Sequence, residues 1–285
     1  MDKYIEIFKT PRGRFAIDTI ADAKMAAVFR CGLHHQEGTI KILSAFITSK
    51  SVVVDGGAHI GSIAIPLAKH AKKIFAYEPD TNSLKLLHQN IELNKVTVDA
   101  RNKGLGARAS QGSVVAVNDG SAGAHTLTVG EGTVSIVALD DELKRFDVLK
   151  LDVEGMELFA LKGSRRIIKQ ARPVVLFEVN LSQLRSHNTS LRELELFFKT
   201  QSYRLYLPFY LRNTLVLGLV QHLSLITLLY YPGAYLFHRT SSVFDILALP
   251  KEQDNTLSVV SVWSTIKYVI AKNLHDKISH FRKIV

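Results

Sequence analysis

The stretch Val52-Val53-Val54-Asp55-Gly56-Gly57-Ala58-His59-Ile60-Gly61 decides the fold of this chain. A β-branched apolar run ends in an acid, a glycine-rich turn follows, and a helical segment opens toward residue 71. In open α/β sheets, ligands sit at the carboxyl ends of the strands, where strand gives way to helix. Glycines at such a turn let the backbone approach a ligand, and a helix N-terminus behind it would favour a carboxylate or phosphate. Alone, the turn suits NAD, a nucleotide, S-adenosylmethionine or a plain tight bend.

The next strand, 73–77, discriminates. It closes in Tyr77-Glu78-Pro79-Asp80, which puts an acid about twenty residues after the glycine turn, where it can accept hydrogen bonds from both ribose hydroxyls of an adenosine. The bland alternative for Glu78 is an acid stabilising the dipole of the next helix. A dinucleotide site would prefer Gly-x-Gly-x-x-Gly with no acid ahead of it, whereas this turn reads Asp-Gly-Gly-Ala-x-x-Gly. The balance tips to S-adenosyl-L-methionine. A third strand end, Leu149-Lys150-Leu151-Asp152-Val153-Glu154-Gly155-Met156-Glu157, adds Asp152 and Glu154. As alternate residues of a strand they would face opposite ways, so only one would reach a given cleft. Glu157 falls in a first helical turn, where a dipole role is expected.

Outward from these motifs, elements alternate. Residues 5–8 and 14–17 flank Thr10-Pro11-Arg12-Gly13 as a hairpin, and Ile40, Leu43, Phe46 and Ile47 mark a helix. A helix over 81–95 with Thr81 as N-cap is followed by a strand at 96–100. Glycines punctuate 104–139 as one or two hairpins. A strand at 147–153, a helix at 156–171, a strand at 173–179, a helix at 191–200 and strands at 203–207 and 244–249 complete the series. Such alternation predicts an α/β fold with a doubly wound, mostly parallel sheet.

The chain has 285 residues, and 36 Lys+Arg against 26 Asp+Glu give a formal charge of +10. A single cysteine excludes a disulfide scaffold or a cysteine-rich zinc site. No His, Asp or Glu set has metal-ligand spacing, so no metal ligand is assigned, although an acidic strand end could hold Mg²⁺. The charged N-terminus shows no apolar leader segment, which favours a cytoplasmic setting.

At these motifs the sequence resembles the FkbM-type family of S-adenosylmethionine-dependent methyltransferases. The resemblance rests on Asp55 to Gly61, Tyr77-Glu78-Pro79-Asp80, Asn90-Ile91-Glu92-Leu93-Asn94, Asp152 to Glu157, and Arg172-Pro173 with Glu178. It implies a seven-stranded Rossmann-like methyltransferase sheet over 51–250, behind an N-terminal extension over 1–50. It also implies O-methyl transfer to a hydroxyl of a glycan, lipid-linked glycan or small natural product. Asp55, Gly56, Gly57, Ala58, His59, Gly61, Glu78, Pro79 and Asp152 are the expected cofactor residues. Where the family carries an acid after Leu-Gly, this chain has Ala107, so adenine is expected against backbone near Gly106 and against Asn102. The acceptor hydroxyl must lose a proton, and Asp152, Glu154 and His125 are the candidate catalytic groups, with His59 a further one.

Residues 213–238 contain no Lys, Arg, Asp or Glu. A membrane crossing there would strand the segment 245–249 away from its sheet, so a buried helical insertion over 211–238, a homodimer surface or an interfacial contact is expected. Val259, Trp263, Ile266, Ile270, Leu274, Ile278 and Phe281 lie at helical spacing among basic residues. Residues 251–285 therefore read as a basic amphipathic helix, packed on the protein or lying peripherally on the inner face of an anionic membrane. The rivals to O-methyl transfer are RNA methylation, disfavoured because paired carboxylates at 152–154 repel phosphates, and a non-catalytic binding protein.

Overall fold

The apolar run at 52–54 is the centre of a parallel sheet. The structure, a computed structural model, describes residues 4–116, 125–211, 214–220, 222–223, 243–256 and 259–260. The chain divides into two units, Met1–Phe177 and Glu178–Val285.

In the first unit, β1 (Ile5–Thr10) and β2 (Gly13–Asp18) form the expected hairpin, followed by α1 (Ala23–Arg30) and α2 (Glu37–Ser44). The central elements are β3 (Val52–Gly56), α3 (Ala64–Ala68), β4 (Lys73–Tyr77), α4 (Thr81–Asn94) and β5 (Asp99–Arg101). Asp80, and not Thr81, caps α4: its carboxylate accepts the Ser83 N–H at 2.7 Å. A separate four-stranded sheet, in the order β6-β9-β7-β8, is built from β6 (Gly104–Leu105), β7 (Ser110–Ala116), β8 (His125–Val129) and β9 (Val134–Val137). Then come α5 (Leu139–Glu142), β10 (Val148–Leu151), α6 (Glu157–Lys162), α7 (Arg165–Ala171) and β11 (Val174–Asn180).

The main sheet runs β11-β10-β3-β4-β5 with every pairing parallel. Both faces are covered, so Val53, Val54, Val148, Leu149 and Leu151 are buried and the strands read as continuous apolar runs. The helix expected over 156–171 breaks at Gly163-Ser164. A side chain at Gly163 would come within 2.0 Å of the Gly106 carbonyl, so only glycine fits, and the Gly163 carbonyl accepts Asp140 N–H at 2.8 Å. The small sheet presents Leu127 and Ile136 to Met156, Val153 and Phe159, and so packs on the segment that follows β10.

The N-terminal extension is fastened to this unit through buried polar groups. Fully buried Asn90 on α4 accepts the Ala16 N–H at 2.6 Å and donates to the carbonyls of Ala16 (3.0 Å) and Ile60 (2.9 Å). His34 bridges Thr10 Oγ1 at 2.9 Å and the Ser62 carbonyl at 2.7 Å, stacked on Phe29. The Ser62 carbonyl can only accept, so Nε2 carries the proton and Nδ1 accepts from Thr10.

The second unit contains α8 (Leu181–Ser186), α9 (Leu191–Thr200), β12 (Tyr203–Leu211), β13 (Thr214–Val220), β14 (Val243–Pro250), a 3₁₀ turn (Lys251–Thr256) and β15 (Val259–Val260). α9 starts on a capping box of Ser190 and Glu193. β12 pairs antiparallel with β13 and β14. The helical insertion expected over 211–238 is corrected here: 214–220 is a strand in register with 205–211. A short uncharged run with buried residues on both faces suits a strand as well as a helix, and periodicity alone does not separate them. Residues 224–242 and the amphipathic segment beyond 260 lie outside the described residues. Among the described residues no helix is long and apolar enough to cross a membrane.

Asn90→Ala removes three hydrogen bonds and leaves buried backbone groups of Ala16 and Ile60 without partners. Urea unfolding is expected to show a loss of about 2–4 kcal/mol with an unchanged m-value.

Candidate functional site

The chain lays β3, β4 and β5 out in one direction and β10 and β11 in the other, so strand order reverses between β3 and β10. In open α/β sheets a ligand crevice lies at the carboxyl ends of the two strands where the order reverses, here β3 and β10. The turns leaving them touch through backbone. Asp152 N–H donates to the Gly56 carbonyl at 3.1 Å. Gly57, with φ +74°, lies so close that a Cβ would sit 1.8 Å from the Asp152 carbonyl oxygen. No side chain fits, and an L-residue would be strained there even with space.

Beneath the two turns is a group that the strand pattern did not single out. Lys150, in the middle of an apolar strand and 4% exposed, donates to the Gly57 carbonyl at 2.9 Å and reaches that of Gly56 at 3.4 Å. Its Nζ is 3.0 Å from Asp55 Oδ1 and 3.7 Å from Asp152 Oδ2. Burial raises the Asp55 pKa and the Lys150 charge opposes that rise. Asp55, 1% exposed, is thus the buried partner of Lys150.

The glycine turn does not offer its donors to an anion. Gly57 and Ala58 N–H groups both go to the Tyr77 carbonyl, at 3.0 and 3.1 Å, and His59 N–H goes to Glu78 Oε2 at 2.7 Å. The helix that follows has five residues and begins at Ala64, three positions beyond Gly61. The expected helix-dipole contribution at this turn is therefore absent; the donors tie the turn to β4. His59 adopts φ +50°, and its ring lies 3.7 Å from Asp22 Oδ2, the N-cap of α1. Burial lifts the Asp22 carboxyl to about 6.

Glu78 is 7% exposed and accepts from His59 N–H through one oxygen and from Asp80 N–H, at 2.8 Å, through the other. Burial pushes its pKa up to about 7, against the pull of the two backbone donors. Each carboxylate oxygen keeps a second lone pair for another donor. Asn102 spends its amide on the carbonyls of Glu78 and Pro79, both at 3.0 Å, so it shapes the Glu78 loop. Gly106 N–H is spent on Val137.

Strand β10 ends at Leu151, so the alternation expected for Asp152 and Glu154 does not apply. Both lie in a turn, with Glu154 at φ +53° and Gly155 at φ +97°. Glu157 clamps this turn by accepting the N–H groups of Val153 (3.1 Å) and Gly155 (3.3 Å). Its other oxygen is buried without a partner, and burial raises its pKa to about 7. Asp152 Oδ2 accepts from Gln36 Nε2 at 3.2 Å. Beside them His35 is half-buried; burial lowers its pKa, and Asp152 works against that. The extension thus supplies Gln36 and His35 to the crevice. Neither was legible in sequence, because their approach to Asp152 is set by the docking of α2. His125 opens β8, and its side chain lies outside the described residues.

A parallel sheet reversing at β3/β10, with acids at three adjacent strand ends, is the arrangement of a Rossmann-like methyltransferase fold. The family described as Methyltransferase FkbM domain matches residues 55–205, and the chain belongs to that family. The hexuronic acid methyltransferase AglP of Haloferax volcanii is 27% identical over 150 residues, which cover 50% of this chain and 62% of that protein. A solved FkbM methyltransferase from Methylobacillus flagellatus KT is 22% identical, with a TM-score of 0.35, over 46% of this chain and 33% of that one. M. jannaschii TYW2, solved in complex with AdoMet, is 18% identical with a TM-score of 0.45, over 87% and 85%.

Gly57→Ala is expected to lower stability by at least about 2 kcal/mol in thermal unfolding, since the left-handed backbone and the Asp152 carbonyl both reject a methyl. Glu157 makes a second prediction. Its folded pKa of about 7 exceeds its ordinary 4.5, so its contribution is full at acid pH and declines as pH rises through about 7. Glu157→Gln keeps the acceptor oxygen and cannot ionise. Relative to wild type, the variant should be more stable at pH 8 than at pH 5 by urea unfolding; a pH-independent difference would contradict this.

Proposed function

We propose that this protein is an S-adenosyl-L-methionine-dependent O-methyltransferase acting on a hydroxyl of a glycan or lipid-linked glycan. The observation that carries the cofactor assignment is Glu78. Its carboxylate is oriented through both oxygens at the second strand end, beside a turn whose own N–H groups are already spent. A pyrophosphate would need those donors; a ribose diol needs the carboxylate. Glu78 would hold the ribose, the Gly56–Gly57 backbone would flank the cofactor, and Asp152 would face its reactive end.

Bound S-adenosylmethionine supplies a methyl already activated on a sulfonium. What remains for the chain is to place a hydroxyl oxygen in line and to accept its proton. Asp152 suits that role: Gln36 fixes Oδ2, while Oδ1 accepts no hydrogen bond among the described residues. The acidic turn 152–157, which repels phosphates, speaks against a nucleic-acid acceptor, and the relative named for a hexuronic acid supports a sugar as the acceptor.

Isothermal titration of the wild type with S-adenosylhomocysteine should show binding that Glu78→Ala weakens by roughly 1–3 kcal/mol, the loss of charge-assisted hydrogen bonds. Absence of wild-type binding would refute the cofactor. For the acceptor, methyl-labelled cofactor incubated with cell extract should label the lipid and glycan fractions. Label concentrated in RNA would refute the acceptor class.

A further inference from the structure

Lys150 is the only lysine or arginine buried among the described residues. An ammonium taken out of water costs several kcal/mol unless its partners are well placed. Here the partners are two backbone carbonyls and two carboxylates, Asp55 at 3.0 Å and Asp152 at 3.7 Å. Holding Asp55 alone would need no second acid, and clamping the carbonyls would need none. Asp152 is also the more exposed of the two acids, its side chain 21% accessible against 1% for Asp55, and it stands at the crevice between β3 and β10. Glu78, the third carboxylate within electrostatic reach of Lys150, ends β4 on the other side of β3. A ligand whose ribose Glu78 holds extends across β3 toward Asp152.

We propose that Lys150 sets the charge of this crevice, and with it how strongly the site prefers the cationic sulfonium cofactor over the neutral thioether left after methyl transfer. One ammonium between Asp55 and Asp152 leaves this set of three with a single negative charge, presented to the crevice by Asp152. The sulfonium neutralises that charge and the thioether does not, so the product is held less firmly than the cofactor. Without Lys150 the discrimination would sharpen, at the cost of a cofactor held too tightly. Without Asp152 it would fade. This inference rests on the S-adenosylmethionine reading of the site, and Lys150 acts through Asp55 and Asp152 as a positioning residue.

Titrating S-adenosylmethionine and S-adenosylhomocysteine separately into the full chain, with no acceptor present, tests it. The quantity is the ratio of the two dissociation constants, product over cofactor. The two ligands differ by one methyl and one charge, and the methyl contribution is common to every variant. Lys150→Met should raise the ratio, and isosteric Asp152→Asn should lower it, each by at least about threefold at the attenuated strength of charges near a protein surface. A purely structural lysine would shift both constants together, and an unchanged ratio in both variants would overturn the proposal. If Lys150→Met fails to fold, Asp152→Asn decides alone: a ratio that stays at the wild-type value overturns it. If the wild type binds neither ligand, the cofactor reading falls, and the inference with it; a wild type that binds both with variants that leave the ratio unmoved sinks the inference only.

Discussion

The close approach of two turns is the constraint on which the rest of the site depends. The backbone leaving β3 and the backbone leaving β10 come into direct contact at Gly57 and Asp152, with no room for a side chain between them. Asp152 N–H bonds the two turns through the Gly56 carbonyl, and the Lys150 ammonium, rising from β10, donates to the Gly57 carbonyl and reaches that of Gly56. Asp55 then follows as the buried counter-charge. Strand register, glycine turn, buried ion pair and half-buried Asp152 form one unit, so disturbing any of them moves the crevice.

Around that unit, fixed backbone donors orient the acids. Glu78 and Glu157 are both buried, and both accept two backbone N–H groups from neighbouring loops. Burial favours their neutral forms while the donors favour the charged ones, and burial is the larger effect in each. The two play different parts. Glu78 keeps spare lone pairs at the strand end, whereas Glu157 is enclosed and serves the turn that carries Asp152. The N-terminal extension completes the arrangement through Gln36, and is fastened by His34 on the Ser62 carbonyl and by Ala16 on Asn90 of α4.

The strand ends were legible in the sequence because a parallel sheet writes itself as apolar runs that stop at acids and glycines. Val52 to Gly61, Tyr77 to Asp80 and Leu149 to Glu157 are read this way, and the proposal of an adenosyl cofactor rests on their spacing. Other features were not legible, for physical reasons. The helix break at Gly163 depends on residues far apart in sequence: Asp140 N–H donates to the Gly163 carbonyl, and the Asp140 carboxylate accepts the Arg166 and Ile167 N–H groups that open the next helix. The strand at 214–220 is set by its partner at 205–211, not by its own uncharged run. The spent N–H groups of the glycine turn depend on the Tyr77 carbonyl across the sheet. Lys150 carried a signal, a lysine inside an apolar parallel strand; Gln36 and His35 carried none.

The central claim is that the turns after β3, β4 and β10 together form the cofactor site. Amide hydrogen exchange with and without saturating S-adenosylhomocysteine measures this most directly. The account predicts slowed exchange confined to peptides spanning 56–61, 78–80 and 152–155, with the extension near 34–37 protected alongside them. Protection elsewhere in the chain, with these three turns unchanged on binding, would contradict it.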